Sequence, residues 1–390
     1  MGSTIRTILD ASFDASSRES GYPRYVHRAT QMLRACRTGR LGSHVQRCPS
    51  GHFERVVPHS CHHRLCPQCN ALPRAQWLEK MQSRLIDCAH HHLIFTIPHT
   101  LHEVWRYNRV WFTQTLFASV AETLQTLCAD ESYMGAQPGL MLALHTWGRA
   151  LPLHPHIHAL LTDGGLTDDG CWQGPKRSCV LPARVVMALY RGKLLSKLRS
   201  ALEQGALVVP PDCRVERLGN LLNRLGRDKW NVHVCRRYAH GAGVMTYLAR
   251  YVRGGPLKDG QVSMLSDGRV RLSYQPHAED GGCRRKQSLV LSAASFIRRY
   301  LQHTPLPRKP VVRHYGLYAT RCTPLLERAR QAHGQAPRIK EAPTPLKATE
   351  YYLRVAGHPT HATHCPQCGG ALVKALNVVA PRGPPAVAKA

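Results

Sequence analysis

The chain has 390 residues, of which 43% are hydrophobic and 20% charged, as in a globular protein large enough for two or three domains. Its 53 lysines and arginines outnumber 24 acidic residues, and the net charge of +29 indicates a polyanionic partner, first of all nucleic acid. No apolar run reaches the roughly 18 residues of a membrane span, and the N-terminus lacks the pattern of a signal peptide, so a cytoplasmic, nucleoid-associated protein without membrane contacts is expected.

Helical and strand patterns alternate along the chain, with short hairpin-like strands late. Helices are predicted over 25–40, from Pro73 onward, and over 101–129, 184–203, 240–255 and 293–304. Strands are predicted over 92–98, 139–148, 156–165, 228–235, 262–264, 270–274 and 288–291. The Gly164-Gly165 pair marks a loop, and the Pro, Ala, Lys and Thr-rich stretch over 332–360 reads as a linker. This order predicts an α+β fold with a central antiparallel sheet flanked by helices.

A cysteine- and histidine-rich segment predicts a structural zinc site. The 15 cysteines are an odd number, and C-x-x-C pairs beside histidines in a reducing compartment indicate metal rather than disulfides. Zinc takes four such ligands, and the candidates are Cys48, His52, Cys61, Cys66 and Cys69. Cys66 and Cys69 form the C-P-x-C turn, Cys48 is the natural third ligand, and spacing leaves Cys61 and His52 open as the fourth. Reduced buried cysteines are the alternative, whereas the nearby Arg64 favours a module that faces DNA.

The H-x-H pair of His156 and His158 is a candidate for a second metal. Alternate residues of a strand point to one face, so both imidazoles can reach one ion while Ile157 packs into the core. An ion with an open coordination position would polarise a phosphate oxygen. The alternative is a chance pair among 24 histidines.

Tyr247 and Tyr251 are spaced i, i+4, which puts both phenols on one face of the predicted helix. Arg250 and Arg253 lie between and beside them and suit phosphate groups. An activated tyrosine is a covalent nucleophile, and the alternative is a pair of structural tyrosines.

In order and spacing these segments resemble the two-tyrosine HUH transposases of bacterial rolling-circle insertion elements, the insertion sequence 91 family. The resemblance covers nearly the whole chain. It is carried by SCHHRLCPQC (60–69), RAQW (74–77), HLIFTIPHTL (92–101), the H-x-H region over 144–166, KWNVHV (229–234), VMTYLARYV (244–252) and the block over 292–322.

The resemblance implies a zinc-binding, DNA-contacting domain over 1–90 and an HUH-type catalytic domain over 91–322. A basic linker with a cysteine knuckle, partly disordered, follows over 323–390. His156 and His158 would hold Mg²⁺ or Mn²⁺ with a third side chain, for which His145 and His154 are candidates. One tyrosine would attack single-stranded DNA at an element end to give a 5′-phosphotyrosyl link. The second would act during transfer to target DNA.

The same resemblance leaves other assignments open. The RHYG segment that begins at Arg313, a candidate DNA contact, and the zinc module favour a transposase over an HUH replication initiator or relaxase. A non-catalytic zinc-dependent DNA-binding protein and an RNA-binding zinc protein are rivals. Cys365 and Cys368 form half a zinc ribbon that one of His358, His361 and His364 would help to complete. Monomer and dimer are both open.

Overall fold

The computed structural model describes residues 4–177, 179–240, 243, 246, 255–275, 285–336, 345–357 and 363–378. The α-helices within them are α1 (Thr4–Ser20), α2 (Arg24–Ala35), α3 (Ala71–Gln82), α4 (His102–Tyr107), α5 (Arg109–Ala129), α6 (Ala183–Glu203), α7 (Val215–Leu225), α8 (Ala293–Leu301), α9 (Thr323–Ala332) and α10 (Ala348–Ala356). The strands are β1 (Ser43–Arg47), β2 (Glu54–Pro58), β3 (His90–Thr96), β4 (Gln137–Trp147), β5 (Leu153–Leu166), β6 (Trp172–Gln173), β7 (Val232–Tyr238), β8 (Val262–Met264), β9 (Val270–Tyr274), β10 (Gln287–Leu291), β11 (Val312–Gly316) and β12 (Val373–Val378).

A central antiparallel sheet with the strand order β11-β4-β5-β3-β7 organises the molecule, and β6 pairs with β5. Its middle strands β4 and β5 are buried along most of their length, because both faces of the sheet are covered. The α+β class with helices on a central antiparallel sheet is therefore confirmed.

The two faces of this sheet follow the two-residue period of its strands. On one face Leu142, Leu144, Ile157 and Ala159 join the large hydrophobic core formed with α4, α5, α6 and α7. On the other face, Met141, Ala143 and Leu160 belong to a smaller core with α3 and α9, which leaves room there for other side chains.

A further core joins segments that are far apart in sequence. Helices α1 and α2, the cysteine segment that follows β2, the β8–β10 sheet and α8 all contribute buried residues to it. The Tyr300 hydroxyl donates a hydrogen bond to the carbonyl of Leu65, and the Thr4 backbone N–H donates to the Asp259 carboxylate at 3.1 Å. The N-terminal segment is thus packed directly against residues 257–272 and 296–301.

Several predicted boundaries differ from the structure: for example, α2 ends at Ala35 and not at residue 40, and β7 covers Val232–Tyr238 and not 228–235. The helix predicted over 101–129 is two helices separated at Asn108, whose backbone leaves the helical region (φ −117°, ψ 34°). The Gly164-Gly165 pair is part of β5 and not a loop. Glycine is required there because the ring of Trp172 and the backbone of Gln137 lie where side chains would stand. The predicted linker contains α10, and most of the helix predicted over 240–255 lies outside the described residues.

Across the described part of the chain, no helix is both long and apolar enough to cross a bilayer.

Candidate metal centres

Three histidines meet on the less crowded face of the central sheet. His145 comes from β4, and His156 and His158 come from β5, where Ile157 between them points into the large core. The antiparallel register places His145 directly opposite His156. One ring nitrogen from each histidine lies within 4.8 Å of the others, so the three imidazoles can share one ion.

Hydrogen bonds orient the rings of the two β5 histidines. The Nδ1 atom of His156 lies 2.6 Å from the carbonyl of His154, which can only accept, so this nitrogen carries the proton and Nε2 keeps a lone pair. The Nδ1 atom of His158 lies 2.8 Å from Nε2 of His92 on β3. The Nε2 atoms of His156 and His158 face each other at 3.1 Å. Their ligand atoms are therefore turned toward one point.

Burial keeps these imidazoles neutral. Desolvation lowers the pKa of His156 to about 4, and it lowers the pKa of His145 and that of His158 well below the ordinary value. A neutral imidazole offers the lone pair that a metal ion requires, whereas a protonated ring would repel the ion. The site can therefore accept a cation at neutral pH.

Of the two candidates for a third ligand, the structure brings His145 into the cluster and leaves His154 outside it. The ring of His154 lies 4.9 Å from the ring of His156, but its strand position is the half-buried beginning of β5. His145 has no H-x-H spacing to mark it. Only the pairing of β4 with β5 places it beside the other two.

Four buried cysteines form a separate cluster in the N-terminal segment: Cys36, Cys61, Cys66 and Cys69. The sulfurs of Cys61 and Cys69 are 3.6 Å apart, as are those of Cys36 and Cys66. Hydrogen bonds from the thiols of the other three lower the pKa of Cys36, which favours a thiolate in the cluster. Four sulfurs at these separations suit a closed tetrahedral zinc site.

This grouping corrects the ligand set expected from spacing. Cys61, Cys66 and Cys69 lie together as anticipated, but the fourth member is Cys36, which caps the C-terminal end of α2. A single cysteine 25 residues before Cys61 has no local motif, so the sequence offered no signal for it. Cys48 and His52 lie in a different cluster, with Cys365 and Cys368.

The candidate nucleic-acid contacts occupy different places. Arg64, inside the four-cysteine knuckle, lies 5.8 Å from the ring of Trp147, and that ring stacks on His145 at 5.2 Å. Arg313 is opposite Leu142 in the sheet, on the face away from the histidines, with its guanidinium group 4.4 Å from the ring of Phe117. The catalytic candidates and their flanking arginines lie outside the described residues: Tyr247, Arg250, Tyr251 and Arg253.

The chain is similar to known transposases. Residues 8–97 match the family model "Transposase zinc-binding domain", and residues 139–324 match the model "Putative transposase". The chain is 31% identical to "Putative transposase y4qJ" of Sinorhizobium fredii over 87% of its own length and 86% of that protein. It is 30% identical to the "Transposase for insertion sequence element IS801" of Pseudomonas savastanoi pv. phaseolicola, over 82% and 77% respectively.

The chain belongs to the insertion sequence 91 family of transposases. No solved structure matches this transposase family member. Its four-cysteine cluster falls wholly inside the matched zinc-binding domain, which supports a structural zinc ion there. The histidine trio falls inside the second matched region.

Proposed function

We propose that the chain binds single-stranded DNA at the ends of an insertion element, cuts it with a tyrosine nucleophile and joins it to target DNA. The observation that carries this function is the trio of buried, neutral imidazoles in a transposase family member of net charge +29. The charge supplies affinity for the phosphate backbone, and the trio supplies a place for a divalent ion beside a phosphate.

The donor set of His145, His156 and His158 fits a divalent cation with open coordination positions. Of the two ions considered, imidazole donors favour Mn²⁺, because Mg²⁺ prefers oxygen ligands and keeps its waters. When bound, the ion would withdraw negative charge from a phosphate oxygen and so make the phosphorus easier to attack. His92 would hold the ring of His158 in place through the 2.8 Å contact.

Tyr247 or Tyr251 would supply the nucleophile. Its oxygen forms a bond to phosphorus while the bond from phosphorus to the 3′ oxygen breaks, which leaves a 5′-phosphotyrosyl link and a free 3′-hydroxyl. The phenol loses its proton, and the departing oxygen takes one up. One phosphoester replaces another, so ATP is not required. A 3′-hydroxyl on target DNA would reverse the step, with the second tyrosine completing the exchange.

Basic and aromatic groups border the trio on the side of the four-cysteine knuckle. Arg64 suits a phosphate, and its guanidinium lies against the ring of Trp147, which stacks on His145. Gly255 packs closely against the same knuckle: a Cβ atom at this position would lie 2.8 Å from the carbonyl oxygen of Leu65. Gly255 is four residues after Tyr251 in the sequence. Arg250 and Arg253 remain candidate phosphate contacts within the tyrosine segment.

The test is cleavage of labelled single-stranded oligonucleotides that carry the DNA flanking the gene, with Mn²⁺ or Mg²⁺ present. We expect a covalent adduct between the protein and the 5′ end of the cut strand on a denaturing gel. Tyr247→Phe and Tyr251→Phe should each reduce the adduct, and the double variant should abolish it. His156→Ala with His158→Ala should abolish cleavage and leave DNA binding largely intact.

Tyr107→Phe is the matched control, because Tyr107 is 45% exposed on α4 and its phenol has no proposed role. An adduct that survives in the double tyrosine variant would refute the tyrosine mechanism. Full cleavage by the double histidine variant would refute the metal assignment. DNA binding without an adduct across a broad panel of ends would favour a non-catalytic DNA-binding protein.

A further inference from the structure

A small sheet joins the two ends of the chain. Strand β1 is its middle strand, with β2 on one side and the C-terminal β12 on the other, both antiparallel to it. Arg47, the last residue of β1, pairs with Glu54 at the start of β2 and with Val373 at the start of β12. The loop after β1 and the segment before β12 therefore emerge at the same end of the sheet.

Among the described side chains of this sheet, Val45 of β1 is the one buried apolar residue. None of the three clusters of buried apolar residues includes a residue of β1 or β2, or one of residues 373–375 of β12. Val56 and Val373 are 61% and 48% exposed. Three strands of five or six residues need additional stabilisation, and small modules of this kind usually obtain it from a metal or a disulfide.

Two tight turns present candidate ligands at the shared end. In the first, the Cys48 N–H donates to the carbonyl of Phe53 at 2.8 Å, and Gly51 supplies a positive φ of 77°. In the second, the Cys365 N–H donates to Gly370 at 2.8 Å, and the Gly369 N–H donates back to Cys365 at 3.0 Å. Each turn carries two metal-binding side chains, and the two turns are more than 300 residues apart in sequence.

We propose that Cys48, His52, Cys365 and Cys368 bind a second zinc ion, which fastens the C-terminal segment to the N-terminal module. One ligand atom from each lies within 4.8 Å of the others. The Cys48 sulfur is 3.6 Å from the Cys368 sulfur and 3.9 Å from Nδ1 of His52. A tetrahedron with zinc–sulfur bonds of about 2.3 Å has edges of roughly 3.8 Å, so these separations suit zinc.

The donor chemistry supports zinc over other occupants. Three sulfurs and one imidazole form a common structural zinc set, whereas calcium and magnesium take oxygen ligands. A disulfide requires sulfurs about 2.05 Å apart. It would also involve only two of the three cysteines and would not explain why the third cysteine and the histidine lie beside them. The site is distinct from the four-cysteine cluster and uses none of its residues. It also does not depend on the proposed DNA chemistry.

The experiment measures the number of zinc ions per chain in the purified full-length protein by elemental mass spectrometry. Each variant is compared with the unaltered chain, so zinc bound at other sites does not affect the difference. Cys48→Ser and Cys368→Ser should each lose one equivalent. The combined variant should also lose one equivalent and not two, because both residues serve the same ion. Cys171→Ser with Cys322→Ser, at cysteines outside both clusters, should lose none.

Hydrogen exchange of the β12 amides provides a second readout that does not rely on recovery of the metal. Cys48→Ser should speed exchange in residues 373–378 as much as Cys368→Ser does, although Cys48 is far away in sequence. Loss of two equivalents in the combined variant would show separate sites and overturn the proposal. So would unchanged zinc content in Cys368→Ser, or an intact mass that reveals a disulfide between these cysteines.

Discussion

At the scale of single residues, the histidine trio shows how strand geometry creates a ligand set. His156 and His158 share a face because successive side chains alternate, and Ile157 between them is fully buried in the core. His145 joins them only because β4 pairs with β5 in one register. A shift of that register by one residue would turn His145 to the opposite face. The trio therefore depends on the sheet as much as on the H-x-H motif.

His145→Ala and His154→Ala should differ in their effect on metal binding. His145 lies in the cluster, so its loss should weaken Mn²⁺ affinity by at least about tenfold. His154 lies outside it, and its contribution to His156 is a backbone carbonyl that alanine retains. Calorimetric titration with Mn²⁺ measures both variants. Equal losses, or a larger loss in His154→Ala, would assign the third ligand to His154.

At the scale of elements, Asn108 decides where one helix ends and the next begins. Its side-chain amide donates to the carbonyls of Val104 and Val208 at 2.9 and 2.8 Å. Its side-chain oxygen accepts the N–H of Val208 at 2.8 Å. The apolar periodicity of 101–129 continues across this point, so it gives no warning of the break. The side chain at the break instead contacts Val208, which is 100 positions away in the sequence.

Asn108→Ala should lower the free energy of unfolding by about 1 kcal/mol, because it removes the side-chain hydrogen bonds to the partly buried backbone of Val208 and to the carbonyl of Val104. Asn223→Ala is the matched control: Asn223 lies on the exposed face of α7, and its replacement should change stability by no more than about 0.5 kcal/mol. Urea denaturation followed by circular dichroism measures both. Equal effects in the two variants would show that the Asn108 contacts contribute nothing specific.

In the whole molecule, segments that are far apart in the sequence share one hydrophobic core and one sheet. The four-cysteine knuckle packs in one core with α1, α8 and the β8–β10 sheet, and its Arg64 approaches the ring that stacks on His145. The C-terminal strand β12 pairs with β1 near the N-terminus. Because of this packing, the metal-binding segment and the histidine trio form neighbouring parts of one structure.

Buried histidines should make the folded chain less stable as the pH falls below 7. Burial lowers the pKa of His90 to about 4 and that of His303 to about 3, whereas both titrate near 6.5 when unfolded. Between pH 6.5 and about 4 the unfolded state binds protons that the folded state does not. Stability that is fully present above pH 6.5 is therefore lost as the pH falls through this window.

Urea denaturation at pH 7, 6 and 5 with saturating zinc measures this loss. His90→Gln should reduce the slope of stability against pH by up to about 1.4 kcal/mol per pH unit, the value for one proton. His240→Gln is the control: its side chain is 76% exposed and its 3.6 Å ion pair with Asp87 is screened by solvent, so the slope should change much less than in His90→Gln. A slope that is flat between pH 7 and 5, or unaffected by His90→Gln, would contradict the prediction.

The α+β class, more than half of the strands and helices, the zinc module and the family resemblance could all be predicted from the amino-acid sequence. These features depend on local periodicity, close spacing and motif order, all of which are visible along the chain. Three groupings could be seen only in the folded chain: Cys36 with the other three cysteines of its cluster, Cys48 and His52 with Cys365 and Cys368, and His145 with the histidine pair. Each of these groupings is made by strand pairing or by packing between distant segments. Spacing in the sequence predicts the positions of ligands only when they lie in the same turn or strand. A tetrahedral metal site requires only that its four ligands be close in space, whatever their separation along the chain.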